Sequence, residues 1–309
     1  SSIREGRHFK TAEAKKHTLG EIVDRYLRDV LPSKSDSMQR DQWTQLSWWK
    51  DKIGNHLLSD IAPALIAEHR DLLLREIGMR GKKRSPASVA RHMAALSHAY
   101  TIAIKEWGWI DDNPLRKVQK PKEPRGRVRF LSDEEREKLL ESCKNSEEPF
   151  LYHIVVLALS TGARKSEILN LTWADVDLQR KVAVLHQTKN DERRALPLSG
   201  EALKCVKGLA ELRRIDTRLL FPDKSGKKPM LIRTPWQKAL KQAGIEDFKF
   251  HDLRHSAASY LAMSGASLAE IAEVLGHKTL QMVKRYSPLS EQHTADVVSR
   301  MNKKIFGGR

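Results

Sequence analysis

The first third of the chain carries apolar residues at the three- and four-residue spacing that is typical of amphipathic helices. The first run begins after Thr18 and stops before Pro32. Its apolar face comprises Leu19, Ile22, Val23, Tyr26, Leu27 and Val30. The same spacing predicts three further helices, at 37–52, 61–77 and 86–107. The pattern therefore predicts an all-helical domain over 18–117, preceded by a polar, basic stretch at 1–17 that we interpret as a tail or linker.

The pattern lapses between 118 and 129. This stretch has two prolines, a glycine and several cations, and it contains almost nothing to bury. Such a composition favours an extended, basic linker between domains. A surface loop within one domain is the alternative, although it would be a long loop for a compact fold.

A second domain is predicted over 130–309, and its first helix is signalled by a capping box of Ser132 and Glu135. Helical spacing then recurs at 148–160, 199–214, 233–243, 251–264, 267–274, 279–286 and 294–306. Residues 182–186 alternate like a strand, and with 194–197 they predict a small antiparallel hairpin or meander. The predicted fold class is mainly α with a small antiparallel β-sheet, as a helical domain followed by an α+β domain.

Composition narrows the class of partner. Among the 309 residues, Lys and Arg number 56 against 39 Asp and Glu, which gives a formal net charge of +17. This excess predicts attraction to a polyanion, although an acidic membrane or ribosomal RNA would also suit it. No apolar run approaches the length of a membrane-spanning helix, so we expect no membrane partner. The two cysteines, Cys143 and Cys205, cannot build a disulfide framework and favour a reducing cytosol. Because the chain opens without a methionine, we expect a fragment or a processed protein.

Aromatic and basic residues of the first domain allow two interpretations. Its second helix contains Trp43, Trp48 and Trp49. We expect these tryptophans to pack in the core, with stacking on nucleic-acid bases as the alternative. Cations are frequent in the segments 1–17, 34–52, 80–91 and 117–129. Each cation is expected to be solvated, but together they suit a clamp on phosphates.

The polar residues of the second domain form a set suited to phosphoryl transfer. Arg164 follows a glycine turn at a predicted helix start, where backbone N–H groups also favour anions. His251 and Arg254 are three residues apart and therefore share a helix face. His277 follows a glycine, and Tyr286 stands nine residues later. Guanidinium groups, imidazoles and a phenol can together carry out phosphoryl transfer without a metal.

Each residue also has a structural interpretation when taken alone. Arg164 and Glu167 are one helical turn apart and can form a surface ion pair. His251 and His255 have a spacing compatible with zinc. The zinc interpretation is weak, because the expected glutamate is missing after His251 and the sequence offers no third ligand. Tyr286 alone would be a half-buried core aromatic.

The set as a whole resembles the tyrosine recombinases, or phage integrases. The matching boxes are Thr161-Gly-Ala-Arg164-x-x-Glu167, then His251-x-x-Arg254-His255, then Leu275-Gly-His277 followed by Tyr286. Each box is weak alone, but they occur in the family's order and spacing. The first domain resembles the family's core-binding domain, most closely that of prophage and genomic-island integrases. Those integrases usually carry an additional N-terminal arm-binding domain, and 1–17 resembles the tether to it.

The resemblance implies a role for each residue. Tyr286 is the nucleophile, and it would leave a 3′-phosphotyrosine and a free 5′ hydroxyl. Arg164 and Arg254 present planar forks of donors to the phosphate oxygens. His251 and His277 are further catalytic residues, as hydrogen-bond donors, and His251 would also accept the proton of Tyr286. The supporting residues are Glu167, which orients Arg164, and His255. No metal and no cofactor are implied.

The general acid is less well defined by the sequence. The family's hairpin lysine resembles Lys189, which would protonate the leaving 5′ oxygen. Its neighbours Lys181, Arg193 and Arg194 remain alternatives for this role.

The resemblance also implies partners and a setting. The substrates would be double-stranded DNA attachment sites, bound by a homo-tetramer with a DNA-bending accessory protein, on nucleoid DNA in the bacterial cytoplasm. A type IB topoisomerase shares the nucleophile chemistry and is the nearest alternative. Apolar residues at helical spacing over 294–306 argue against it, because such a tail can dock on a neighbouring protomer. A non-enzymatic DNA-binding regulator leaves the polar set unexplained, and a metal-dependent nuclease would need more carboxylates near the histidines.

Overall fold

The chain folds into two compact units, Ser1–Arg125 and Gly126–Arg309. The computed structural model describes residues 12–78, 81–123, 129–186 and 193–306. The division between the units falls within the 118–129 stretch that the sequence analysis interprets as a linker. None of the described helices is both long enough and apolar enough to cross a membrane.

The described residues of the first unit form helices joined by loops, with two isolated β-bridges. Its α-helices are α1 (Leu19–Asp29), α2 (Asp36–Ile53), α3 (Pro63–Arg75) and α4 (Pro86–Ile102). Thr18 caps α1 through a capping box with Glu21. The helix predicted at 86–107 is α-helical only as far as Ile102, because a π-helical turn follows and Gly108 ends it with φ +67°.

The core of the first unit corrects two expectations. Trp49 is fully buried and donates from Nε1 to the carbonyl of His92, whereas Trp43 is 58% exposed and does not belong to the core. Trp48 is partly buried and donates from Nε1 to Glu76 at 2.8 Å. Residues 12–14 form a helical turn and Ala14 is buried, so the end of the predicted tail packs on this unit. The remainder of that tail, 1–11, lies outside the described residues.

The second unit combines helices with one small sheet. Its helices are α5 (Asp133–Lys144), α6 (Leu151–Thr161), α7 (Lys165–Leu169), α8 (Gly200–Glu211), α9 (Arg233–Gln242), α10 (Asp252–Met263), α11 (Leu268–Leu275) and α12 (Glu291–Phe306). The strands are β1 (Val176–Asp177), β2 (Val182–Leu185) and β3 (Arg194–Pro197). They pair antiparallel in the order β1-β2-β3, with Leu185 opposite Arg194. The predicted fold class is therefore confirmed.

One predicted helix of the second unit is not an α-helix. Helical spacing predicts a helix at 279–286, and the chain forms two 3₁₀ segments there, Leu280–Met282 and Lys284–Ser290. Pro288 lies within the second segment and has no backbone N–H to continue a regular ladder. Short 3₁₀ runs have poorer hydrogen-bond geometry than an α-helix, and this segment carries Tyr286.

Two apolar clusters of the second unit position the polar set. The larger cluster surrounds α6, which is apolar on most of its faces, and it includes Leu253 of α10. The smaller cluster lies between α10, α11 and the 3₁₀ segments, and its fully buried members include Leu275, Val283 and Tyr286. Helix α10 therefore contributes to both clusters and carries the polar side chains of its N-terminal half between them.

Candidate active site

The end of α6 and the start of α7 position Arg164. Thr161 ends α6 and Gly162 follows in the left-handed region, with φ +61°. Arg164 is then the N-cap residue of α7. Its backbone N–H donates to Glu167 Oε2 at 2.8 Å and its Nη1 donates to Glu167 Oε1 at 2.7 Å. Glu167 thus holds both the backbone and the side chain of Arg164.

Glu167 binds a second guanidinium. Arg194 Nη2 donates to Glu167 Oε2 at 2.8 Å, and the carboxylate side chain is only 5% exposed. Burial alone would raise the pKa of Glu167, but the hydrogen bonds from Arg164 and the charge of Arg194 outweigh it, so the pKa is lowered. Glu167 is therefore ionised at neutral pH and lies between two cations.

Arg254 bridges two turns of the backbone. Its Nη1 donates to the carbonyl of Gly162 at 2.7 Å and its Nη2 donates to the carbonyl of Leu275 at 2.6 Å. The residue is 3% exposed. Burial, together with the charge of Arg164, lowers the pKa of Arg254 to about 10, so it remains a cation at neutral pH. A guanidinium has five N–H donors, and these two bonds leave others for an anion.

Three imidazoles lie near these cations. His251 precedes α10, and its ring stands 5.2 Å from that of His255 at nearly a right angle. Burial and the charge of Arg254 lower the pKa of His251. Burial and the electrostatic effect of His251 lower the pKa of His255 to about 4. Burial and the charge of Arg254 lower the pKa of His277 to about 4. The rings of His255 and His277 are therefore neutral at pH 7.

Tyr286 is covered and hydrogen-bonded in this structure. It is 1% exposed and packs in the smaller apolar cluster with Leu275 and Val283. Its hydroxyl lies 2.5 Å from Nδ1 of His255. Burial raises the pKa of Tyr286, while the charges of Arg285 and Arg254 oppose that rise. The phenol is therefore neutral at pH 7 and contacts a neutral imidazole.

The structure brings most of the sequence-predicted residues into one neighbourhood. Hydrogen bonds or ring contacts connect Arg164 with Glu167, and His251 with His255 and Tyr286. The remaining members are Arg254, bonded to the turns that precede Arg164 and His277, and His277 itself. Lys189, the predicted general acid, lies outside the described residues.

Arg194 is the member of this neighbourhood that sequence reasoning missed. The sequence predicts it only as an alternative general acid, whereas its Nη2 donates to Glu167 and its Nη1 donates to the carbonyl of Val274. The alternation of inward and outward residues along β3 is the sequence signal that identifies Arg194. Leu196 is buried and Ala195 is exposed, so Arg194 points to the same inward face as Leu196.

The zinc interpretation of His251 and His255 finds no support in the described part of the chain. Within residues 12–78, 81–123, 129–186 and 193–306, no three His, Cys, Asp or Glu side chains are placed to hold a metal ion. His255 instead uses Nδ1 for Tyr286.

Comparison with known proteins identifies a family. The profile of the phage integrase family matches residues 129–293, more than half of the chain. The integrase of Salmonella phage P22 is 34% identical over 242 residues, covering 73% of this chain and 60% of the relative. The shufflon-specific DNA recombinase of Escherichia coli is 34% identical over 277 residues, covering 89% of this chain and 70% of the relative. The chain thus spans less than two thirds of the length of the P22 integrase.

Solved structures agree on the fold. The integrase of the transposon Tn1549, in complex with circular intermediate DNA, superposes with a TM-score of 0.74 at 18% identity, covering 87% of this chain and 95% of that one. A lambda integrase fragment, as a dimer bound to a core site, gives a TM-score of 0.71 at 22% identity, again covering 87% of this chain and 95% of that one.

Proposed function

Because the chain belongs to the phage integrase family, the tyrosine recombinases, we propose that it is a site-specific DNA recombinase that cuts and rejoins DNA through a covalent 3′-phosphotyrosine at Tyr286. One observation carries the proposal. The buried guanidinium of Arg254 bonds the turn that leads to Arg164 and the turn that leads to His277, and Tyr286 packs against the second of these turns. This arrangement gathers cations, neutral imidazoles and a phenol around one position.

Arg164 and Arg254 supply the charge that the reaction requires. A phosphodiester repels nucleophiles, and negative charge grows on its non-bridging oxygens in the transition state. A planar guanidinium presents paired donors that fit these oxygens. Because Arg164 and Arg254 are already held by hydrogen bonds to Glu167, Gly162 and Leu275, little reorganisation is needed when phosphate arrives.

His255, rather than His251, is the group we propose to accept the phenol proton. Its Nδ1 lies 2.5 Å from the Tyr286 hydroxyl, and its pKa of about 4 keeps the ring neutral at pH 7. Burial raises the pKa of Tyr286, so the phenol needs a base in contact in order to ionise. His251, to which the sequence assigns this role, contacts the ring of His255 and is exposed, so we propose that it binds phosphate.

The proton-acceptor assignment is tested by the pH profile of cleavage. We expect His255→Gln to slow single-turnover cleavage by about 10²-fold or more, and to make the rate rise with pH up to about pH 9, because hydroxide then replaces the base. His251→Gln is the matched control, and it should lower the rate without changing the shape of the profile. The opposite pattern, with a changed profile only in His251→Gln, would return the role to His251.

The covered position of Tyr286 implies a rearrangement on DNA. The hydroxyl is buried in this structure, so the 3₁₀ segment Lys284–Ser290 must shift to bring it to a phosphate. The hydrogen bonds of a 3₁₀ helix have poorer geometry than those of an α-helix, so this segment is easier to displace than an α-helix would be. The prediction that Lys189 protonates the leaving 5′ oxygen stands as part of this proposal.

Assembly on DNA is part of the same proposal. Lambda integrase has been solved as a dimer bound to a core site and as a tetramer bound to a Holliday junction. In this chain, α12 leaves Val298, Met301 and Ile305 about half exposed, at helical spacing. We propose that this face docks on a neighbouring protomer in a homo-tetramer on double-stranded attachment sites, in the bacterial cytoplasm and with a DNA-bending accessory protein.

Covalent capture from a pool of target sequences tests the proposed function. The protein is incubated in EDTA with nicked duplexes that carry a randomised core, and DNA attached to protein is recovered from denaturing gels and sequenced. We expect captured molecules to share a core sequence, and capture to vanish with Tyr286→Phe. Capture without a shared sequence would indicate a relaxing enzyme of the type IB kind. Capture by Tyr286→Phe at the wild-type level would contradict the proposal.

A further inference from the structure

Arg194 makes contacts that connect opposite sides of the site. It begins β3, and its side chain is 11% exposed. Nη2 donates to Glu167 Oε2 at 2.8 Å, and Nη1 donates to the carbonyl of Val274 at 2.9 Å. Glu167 in turn holds Arg164, and Val274 lies near the end of α11, three residues before His277. One guanidinium therefore joins the segment that carries Arg164 to the segment that carries His277.

The chain leaves room for this guanidinium at Gly276. This glycine has φ +62°, and a Cβ built on it would lie 2.9 Å from both Cδ and Nη1 of Arg194. Any other residue would therefore push Arg194 aside. The glycine of the Leu-Gly-His turn thus permits the side chain of Arg194 to pack directly against the backbone.

The charge of Arg194 makes the arrangement costly unless it has a use. Burial lowers the pKa of Arg194, and the nearby charge of Arg164 lowers it further, while Glu167 offsets part of the effect. Arg254 is a third buried cation that experiences the charges of both other arginines. Glu167 is the carboxylate that binds two of the three guanidinium groups. Buried ion pairs of this kind contribute little net stability, which points to a geometric role.

We propose that Arg194 is a positioning residue for the cleavage reaction. It fixes Glu167, and through it the guanidinium of Arg164, at a set distance from the turn that carries His277. Arg194 acts through these protein contacts, since Nη1 and Nη2 each donate to a protein acceptor and the backbone of Gly276 packs against the group. The inference deepens the proposed function and rests on it, since the phosphate is the anion that Arg164 and His277 would share.

Single-turnover cleavage at saturating DNA, with the Kd for DNA measured separately, tests this role. We expect Arg194→Ala to slow formation of the covalent adduct by about 10²-fold, the effect of a displacement of about 1 Å in a site, with less than a threefold change in Kd. Arg194→Lys keeps the charge and the aliphatic stem but cannot donate to Glu167 and Val274 in the same geometry. It should therefore fail to restore the rate. A wild-type rate in Arg194→Lys would overturn the proposal, and this variant decides the question if Arg194→Ala does not fold.

A double-mutant cycle separates positioning through Glu167 from general damage. If Arg194 acts through Glu167, then Arg194→Lys combined with Glu167→Gln should be no slower than Glu167→Gln alone. Additive losses would overturn the route through Glu167. If the wild-type protein forms no adduct, the proposed function is wrong. If wild type forms the adduct and Arg194→Lys forms it at the same rate, only this inference is wrong.

Arg214 provides a matched control in the same unit. It donates to Asp216 through Nε and Nη2 and to the carbonyl of Asp223 through Nη1, and it packs against Gly226, so its hydrogen bonds stay within residues 214–226. Arg214→Ala removes a similar set of bonds and the same charge. It should leave the cleavage rate within about twofold of wild type. If Arg214→Ala and Arg194→Ala lost the same factor in cleavage rate, the loss of charge or of stability would explain the effect of Arg194. That result would overturn the proposal.

Discussion

Replacing Gly162 with alanine should destabilise the second unit and displace Arg254. Gly162 has φ +61°, a region that costs an L-residue about 1–2 kcal/mol. A Cβ built there would lie 2.5 Å from Cδ2 of Leu275, so the fully buried Leu275 side chain or the segment that carries it must shift. Overpacking of this kind costs about 1–3 kcal/mol. Together the two effects should lower the free energy of unfolding of the second unit by about 2–5 kcal/mol.

The same clash bears on the chemistry. Arg254 donates to the carbonyl of Gly162 and to the carbonyl of Leu275, and the added methyl group would press against the side chain of Leu275. One of the two hydrogen bonds should therefore lengthen or break, and the cleavage rate of Gly162→Ala should fall along with its stability.

Hydrogen exchange at increasing urea concentration measures the free energy of unfolding of the second unit separately from that of the first. Peptides that cover α6 and α10 report its opening free energy. Gly244 is the matched control, because it also follows a helix, with φ +66°, and no described atom lies within 4 Å of a Cβ built on it. Gly244→Ala should therefore cost only the backbone part, about 1–2 kcal/mol. Equal losses in the two variants would refute the steric reasoning, and a smaller loss at Gly162 would refute the whole estimate.

Three further results are expected. Lowering the pH from 6.5 towards 4 should reduce the free energy of unfolding. The pKa values of His255 and His277 are about 4 in the folded state and ordinary in the unfolded state, so the unfolded state takes up protons first as the pH falls. Urea midpoints that stay constant across that range would contradict this. Ser256→Ala should cost about 1–3 kcal/mol in urea denaturation, because its buried hydroxyl accepts from a buried backbone N–H at 3.1 Å. In the first unit, Trp49→Ala should lower the free energy of unfolding by about 3–5 kcal/mol, because Trp49 is fully buried. Trp43→Ala should lower it by less than about 0.5 kcal/mol, because Trp43 is 58% exposed. Comparable losses in the two variants would contradict the assignment of the core.

Hydrophobic spacing predicted most of the elements because the helices of both units bury one face. The exception at 279–286 shows the limit of the method. Apolar residues at Leu280, Val283 and Tyr286 recur every three residues, which fits a 3₁₀ segment as well as an α-helix. The tryptophans show another limit, since neighbouring residues of one helix can face the core or solvent, and helix periodicity separates Trp43 from Trp49 only after the buried face is known.

The candidate site was predictable as a set of residues but not as a set of contacts. Ordered motifs identified Arg164, Arg254 and Tyr286, because their residue types suit one chemistry. The hydrogen bond between His255 and Tyr286 joins residues 31 positions apart, and only tertiary packing determines it. Arg194 and the exposed Arg193 are adjacent in the chain, and adjacent residues of a strand point to opposite faces of the sheet.

The most direct test of the central claim identifies the residue that carries the DNA. Adduct captured on a nicked substrate is digested with trypsin and nuclease, and the nucleotide-bearing peptide is sequenced by mass spectrometry. Cleavage after Arg285 releases the peptide 286–300, which begins with Tyr286. We predict a nucleotide joined through its 3′-phosphate to Tyr286, with a free 5′ hydroxyl on the other strand end. A nucleotide on any other residue, or a 5′-phosphate linkage, would contradict the account.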